Sequence, residues 1–508
     1  MKSAIMTLTL FVVSAAAHRP GPFTRHGRAP IPEHLKHDAG DCGEAVSVTD
    51  ILKRTGGDHR AAQAATKVTP DIVEGITSYS GFAQTSPTKH MFWWYFPPTD
   101  ASVDAASAPT LVWLQGGPGG SSMFGLFAEN GPIELVQDAT TGNITAQART
   151  VGSWGEKYGT LYIDNPVGAG FSYTTAPSDP ANGYCNNTKT CVAENLYALL
   201  QAFYATFPSL IKGGSDLYIT GESYGGHYVP GISYYIHEQN ARPDAAFEAA
   251  GEVRVPFAGC AVGDGWIDPV LQLTGYAAQM FNVGLADDIQ RAKIQAYTDQ
   301  AIKYLNAGEM LKSFTAWDEM LNGDVFPYPN YFHNITGSND YDNFMRTNAP
   351  ASFGFYGAFC NTPAVRKQIH AGPHLNGVNA HECELHLLED FMVSFKKEIG
   401  VLMDNYKVLI YSGQLDIIIG APLTEAFLPT VEWSGQAAFK ATQRAVWRRP
   451  EDSDPVAGYV QELPHEGGGF AYAIVRGAGH IVPADQPKRA VDMITRFVEG
   501  KPFSTSSA

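Results

Sequence analysis

Ser223 stands at the centre of Gly221-Glu222-Ser223-Tyr224-Gly225, after the strand-like Leu217-Tyr218-Ile219 and before a segment able to start a helix. A serine on a sharp strand-to-helix turn presents its hydroxyl at the top of a sheet, and the flanking glycines let neighbouring backbone approach without a Cβ clash. The pentapeptide by itself also fits an ordinary glycine-rich turn. Its context favours a nucleophile: Asp416 follows a β-like run at 406–412, and His480 follows another at 470–475. Strand ends on one edge of a parallel sheet converge, so residues distant in sequence meet there in the order Ser, Asp, His.

The roles of such a trio follow from its chemistry. A serine hydroxyl is a weak nucleophile, so His480 must take its proton, while Asp416 fixes the imidazole tautomer and stabilises the imidazolium. The developing oxyanion needs N–H donors already in place. An elbow supplies one from the residue after the nucleophile, Tyr224, and a second comes from a glycine loop after an earlier strand. The loop at 113–122, Trp-Leu-Gln-Gly-Gly-Pro-Gly-Gly-Ser-Ser, follows the strand-like 110–114, and Gly117 is the expected second donor; an ordinary turn is the competing reading.

The elements that must position these residues alternate. β-like runs at 90–96, 110–114, 159–163, 406–412 and 470–475 are separated by helical patterns. One carries Val192, Leu196, Leu199, Leu200, Phe203 and Phe207 on a single face, and a last one carries Ala490, Met493, Ile494 and Phe497. Alternation of this kind predicts an α/β architecture, a largely parallel central sheet with helices on both faces. Residues 268–360 break the rhythm and read as an inserted, mainly helical cap.

The 508 residues are 44% hydrophobic and 17% charged, an ordinary globular composition. Residues 1–17 read as a secretory signal peptide cut after Ala17. Residues 18–75 read as an extension or prosegment, either docked on the body or disordered, and 76–508 as the catalytic domain. No later run is apolar enough for a membrane span. The net charge of −16 disfavours nucleic acid as a partner. Asn143, Asn186 and Asn334 begin glycosylation acceptor triplets. In an exported chain Cys185 and Cys191 are expected to pair across a short loop, and Cys360 with Cys383; Cys42 and Cys260 stay open. His381, Cys383 and His386 have ligand types but match no zinc spacing, so no metal or cofactor is expected.

The glycine loop, the Gly-Glu-Ser-Tyr elbow, Asp164-Asn-Pro-Val-Gly168, Gly170-Phe-Ser172 and Gly479-His-Ile-Val-Pro483 occur in order. Together they make the chain resemble the serine carboxypeptidases, α/β-hydrolase exopeptidases, and most closely their vitellogenic-like branch. The resemblance runs from about Tyr79 to Phe497. It implies a secreted or vacuolar/lysosomal enzyme, with peptide and protein C-termini as substrates and an acidic optimum. It also implies that Trp113, Gln115, Glu129 and Glu222 bind the substrate's terminal carboxylate, the two glutamates sharing a proton, and that Phe124, Ile419 and Ile481 wall the pocket for the departing residue. Gln115 stands where the family carries Asn, and Gly120 where it carries Cys, as in the vitellogenic-like branch. Two other readings remain: an acyltransferase or esterase of the same family, and a non-catalytic binding or protective protein on the hydrolase fold.

Overall fold

The computed structural model describes residues 40–323, 325, 329–465 and 468–503; the expected signal peptide and the first part of the extension lie outside the described residues. The strands are β1 (Tyr79–Gln84), β2 (Lys89–Phe96), β3 (Thr110–Leu114), β4 (Ile133–Gln137), β5 (Ile144–Ala148), β6 (Gly159–Ile163), β7 (Tyr173–Thr174), β8 (Leu217–Glu222), β9 (Phe257–Gly263), β10 (Lys407–Gly413), β11 (Ala445–Arg448), β12 (Val456–His465) and β13 (Gly468–Val475). All but β4 and β5, which form a separate hairpin, join one sheet in the order β1-β2-β6-β3-β8-β9-β10-β13-β12-β11, with β7 beside β2. The six central strands from β6 to β13 run parallel and the flanking ones antiparallel. This is the α/β-hydrolase fold.

The sheet is buried on both faces, and its strands divide their side chains between two apolar layers with a period of two. On β2, Met91, Trp93 and Tyr95 join one layer, while Phe92, Trp94 and Phe96 join the other. β10 does the same with Val408 and Ile410 against Leu409 and Tyr411. At the N-terminal end, α1 (Val48–Thr55) and α2 (His59–Thr66) are each opened by a side-chain cap, Ser47 on Asp50 N and Asp58 on Arg60 and Ala61 N. The first layer is covered by α3 (Ala193–Thr206) and α4 (Gly225–Asn240), with Leu196, Leu199, Leu200, Phe203, Val229 and Ile232 pointing inward. Between β9 and β10 lie the helices of the insertion, including α5 (Asp288–Asn306) and α6 (Lys396–Asn405). The second layer is covered by α7 (Pro487–Glu499), through Ala490, Met493, Ile494 and Phe497.

One open alternative is decided for the described residues, and two features differ from the sequence reading. The described part of the stretch taken as an extension is built into the fold: Val48, Ile51 and Ala62 are buried, and β-bridges tie Ser47 to Phe82 and Lys67 to Tyr79. Two-turn helices are too short to show a sustained period, which is why they escape the pattern. The helical insertion continues past residue 360 to Asn405, where α6 leads into β10. The bridge between Cys360 and Cys383 is not formed, although Cys185–Cys191 is. Cys360 sits in the apolar layer beside Tyr356, on one short helix, whereas Cys383, on another, packs against the loops of Gly119 and Gly168. Cys42, Cys260 and Cys360 keep free thiols. Asn143, Asn186 and Asn334 are all exposed. Among the described residues no helix is long and apolar enough to cross a membrane.

Candidate active site

β8 ends at Glu222, and Ser223 follows with φ of 63°, in the left-handed region that costs a non-glycine residue about 1–3 kcal/mol. The end of β9 holds it there: Ser223 N donates to Gly263 O at 3.0 Å, and Trp266 N donates to Ser223 O at 3.0 Å. Tyr224 then caps α4, its hydroxyl donating to Asp390 Oδ2 at 2.7 Å and its ring stacking on Phe391 and His227.

The glycine loop lies directly on this elbow. A Cβ on Gly116 would stand 2.6 Å from Ser223 Cβ and 2.6 Å from Tyr224 N, so only glycine permits the approach. Among the described residues, neither Gly117 N–H nor Tyr224 N–H donates a hydrogen bond within the protein. Asp164 staples the loop, accepting from Ser121 Oγ at 2.7 Å, Ser122 N at 2.9 Å and Phe171 N at 2.8 Å. Burial pushes the Asp164 carboxyl up to about 7 against the pull of those donors.

Asp416 and His480 leave adjacent parallel strands, β10 and β13, and meet in the interior with His480 Nδ1 2.8 Å from Asp416 Oδ2. Asp416 also accepts from Ile419 N at 3.2 Å, which fixes the carboxylate plane. His480 Nε2 is buried and has no hydrogen-bond partner among the described residues. Burial works to lower the proton affinity of His480, but the Asp416 carboxylate outweighs it, and the imidazole is raised above its ordinary value.

The insertion grips both loops. Ile417 N donates to Tyr341 O at 3.0 Å, Phe344 N to Leu415 O at 3.0 Å, and His480 N to Asp342 O at 2.6 Å. Arg346 bridges Asp340 and Asp485 at 3.0 Å each, and Asp485 accepts from Gly479 N at 2.7 Å.

Trp113, Gln115, Glu129 and Glu222 come together beside the elbow. Trp113 Nε1 donates to Gln115 Oε1 at 2.9 Å, and Gln115 Nε2 donates to Glu222 Oε1 at 3.2 Å. Glu129 faces Glu222, both wholly buried. Among the described residues no amide or hydroxyl group donates at hydrogen-bond distance to either Glu129 oxygen or to Glu222 Oε2. Burial pushes Glu129 up to about 8, and burial together with the Glu129 charge pushes Glu222 well above the carboxylate range. Two such groups cannot both ionise, so the pair holds a proton.

Phe124, Ile419 and Ile481 are all buried; Phe124 and Ile481 share one apolar layer, with Phe124 edge-on to Phe353 and Tyr356, while Ile419 belongs to the other. Two acids escaped the sequence reading. Asp264 lies at the end of β9, and one ligating atom from each of Asp264, Asp416 and His480 falls within 4.8 Å of the others. Asp342, from the insertion, faces His480, and burial pushes it up to about 7. The signal for Asp264 was its place after the strand between those of Ser223 and Asp416. A separate cavity of about 500 Å³, lined among others by Arg149, Arg449 and Lys488, contains none of these groups.

The serine carboxypeptidase family profile matches residues 70–500. The probable serine carboxypeptidase CPVL of Rattus norvegicus is 40% identical over 461 residues, covering 90% of each chain. The vitellogenic carboxypeptidase of Aedes aegypti is 35% identical over 464 residues, again covering 90% of each. Among solved structures, the prohormone-processing carboxypeptidase KEX1(delta)p of Saccharomyces cerevisiae superposes with a TM-score of 0.64 at 20% identity, covering 86% of this chain and 96% of that one, and so shares its fold. By sequence match along most of its length, the chain belongs to the serine carboxypeptidase family of hydrolases.

Proposed function

We propose that the protein removes single residues from the C-termini of peptides and proteins through an acyl-enzyme. The observation that carries this is the wholly buried pair of carboxyls, Glu129 and Glu222, reached by the Gln115 amide beside the elbow of Ser223. A buried site with a carboxyl proton and an amide donor suits a free carboxylate, and its nearness to the nucleophile restricts cleavage to the last peptide bond. Trp113 orients Gln115 for that contact.

Ser223 attacks the scissile carbonyl while its proton passes to His480 Nε2, and Asp416 stabilises the imidazolium. Gly117 and Tyr224 N–H groups receive the oxyanion. Collapse of the intermediate breaks the C–N bond, His480 protonates the departing amine, and water, activated by the same imidazole, releases the shortened peptide. His480 must be neutral to act as base, and the glutamate pair must keep its proton to accept a third carboxylate. Both groups are raised, so the working window lies on the acid side of about pH 8, where Glu129 loses its proton, and closes as pH falls through the raised value at which His480 takes one up. Phe124 and Ile481 favour apolar departing residues. The Cys185–Cys191 bridge and the exposed glycosylation acceptors support a secretory, secreted or vacuolar/lysosomal setting.

The test is mass-spectrometric profiling of a peptide library for shortened C-termini, with wild type and Ser223→Ala, alongside an acyl ester with an alcohol acceptor. C-terminal ladders that vanish in Ser223→Ala are expected. Acyl transfer without ladders would make it an acyltransferase, and no turnover with no labelling of Ser223 by a serine reagent would make it a binding protein.

A further inference from the structure

Asp264 is wholly buried, and its backbone is in the left-handed region at φ of 44°, an unfavourable conformation for a residue with a side chain. Strain of this kind persists only where the surroundings hold it, and here β10 does so. Asp264 N donates to Tyr411 O at 2.7 Å, and Gly413 N donates to Asp264 Oδ1 at 2.7 Å. The strand ends at Gly413, and the chain reaches Asp416 three residues later. Among the described residues no amide or hydroxyl group donates to the second oxygen, Oδ2, which is buried. One carboxyl oxygen each of Asp264 and Asp416 and a ring nitrogen of His480 lie within 4.8 Å of one another. Two carboxyl groups can share a hydrogen bond only if one of them carries a proton.

We propose that Asp264 is a positioning residue for the hydrolytic relay: it carries a proton, donates it in a hydrogen bond to Asp416, and so holds that carboxylate facing His480. The inference rests on Asp416 and His480 acting as proposed above. Burial and the neighbouring Asp416 both raise the proton affinity of Asp264, in keeping with a neutral carboxyl. Around it stand Asp485 and His480 from the segment after β13, Glu222 from β8, Tyr411 from β10 and Tyr472 from β13; of these only the His480 imidazole can carry positive charge, and Asp485 has its own cation in Arg346. A neutral donor spreads the charge of Asp416 without adding a second negative charge to the pocket. When His480 takes the serine proton, the carboxylate that pairs with it is then fixed in orientation.

Asparagine reproduces a protonated aspartate here, because its amide can donate to Asp416 while its oxygen accepts from Gly413. Asp264→Asn should therefore keep kcat within about threefold across the pH range, whereas Asp264→Ala should lower kcat about ten- to hundredfold, with KM little changed, because a hydrogen bond to a charged group is lost in the chemical step. Infrared difference spectra, wild type minus Asp264→Asn, should show the C=O band of a protonated carboxyl that persists from mildly acidic to neutral pH. The proposal is overturned if that band is absent, if the Asn and Ala variants are equally damaged while folded, or if chelation abolishes wild-type activity and a divalent cation restores it. Should Asp264→Ala not fold, the Asn kinetics and the infrared band decide the matter. Failure of the underlying reading shows separately, as wild-type activity that survives Ser223→Ala.

Discussion

Replacing Glu129 and Glu222 together by glutamine tests the carboxylate site where its physics is most exposed. In the wild type Glu129 holds its proton up to about pH 8, the value to which burial pushes it, and Glu222 is raised well above the carboxylate range as well, so below that pH both are neutral. A substrate with a free C-terminus brings a third negative charge. Two unit charges 4 Å apart repel by about 4 kcal/mol even at an effective dielectric constant of 20, so binding needs the protonated pair. KM for a free-acid peptide should then be flat below that pH and rise about tenfold per pH unit above it, because only the protonated fraction binds. The same peptide as a C-terminal amide brings no charge, and its KM should stay flat. Glutamines do not titrate, so the double variant should give flat KM curves for both substrates. kcat should fall in acid in both enzymes as His480, held above its ordinary value by Asp416, takes up a proton. The assay is initial-rate kinetics from pH 5 to 9 on acid and amide with both enzymes. Parallel acid and amide curves in the wild type would refute the reasoning, since Glu129 and Glu222 would then not meet the terminal carboxylate.

Three further outcomes are expected. Gly116→Ala places a methyl 2.6 Å from Ser223 Cβ and should lower kcat about a hundredfold by displacing the nucleophile, with circular dichroism reporting an intact fold; normal turnover would show that the loop does not define the elbow. Peptides ending in Leu or Phe should lose that residue about tenfold faster than those ending in Asp, given the apolar surroundings of Phe124 and Ile481, and competition assays read the ratio. Thermal stability should be greatest in mild acid: Glu129, raised from 4.5 to about 8, contributes stability that is fully present below pH 4.5 and lost as pH rises through 8, roughly 3–5 kcal/mol if it acted alone. A calorimetric Tm that climbs steadily between pH 5 and 8 would contradict the buried proton.

What could be read in the chain and what could not divides along physical lines. The placing of Ser223, Asp416 and His480 just beyond strand ends was legible because each follows an apolar run at the same end of its strand, and β3, β6 and β10 were legible because both faces of the sheet are buried, leaving short unbroken apolar segments. Asp264, between two glycines, looks like any turn until β9 is seen to lie between the strands of Ser223 and Asp416. Asp164 was visible only as part of a motif, since its three donors come from two loops. The helices at 48–55 and 59–66 were missed for want of length, and their place under β1 depends on long-range packing. Cys360 and Cys383 were expected to pair on the grounds of compartment and count, neither of which contains the orientation of two short helices.

The grip of residues 341–346 on the loops of Asp416 and His480 limits how this enzyme can open and diversify. A cap that swung away as one hinged lid would pull its backbone hydrogen bonds off both loops and leave Asp416 and His480 without that support. Any opening that spares them must leave this segment in place as a stationary post. The same bonds divide the insertion into two evolutionary regimes. Its outer helices, such as α5 with Ile289 81% exposed, can be rewritten to suit new peptides, whereas Asp340, Arg346 and their partner Asp485 can change only in concert. A chimera that takes its whole cap from a relative should need that relative's counterpart of Asp485 as well, or lose turnover while still binding its substrates.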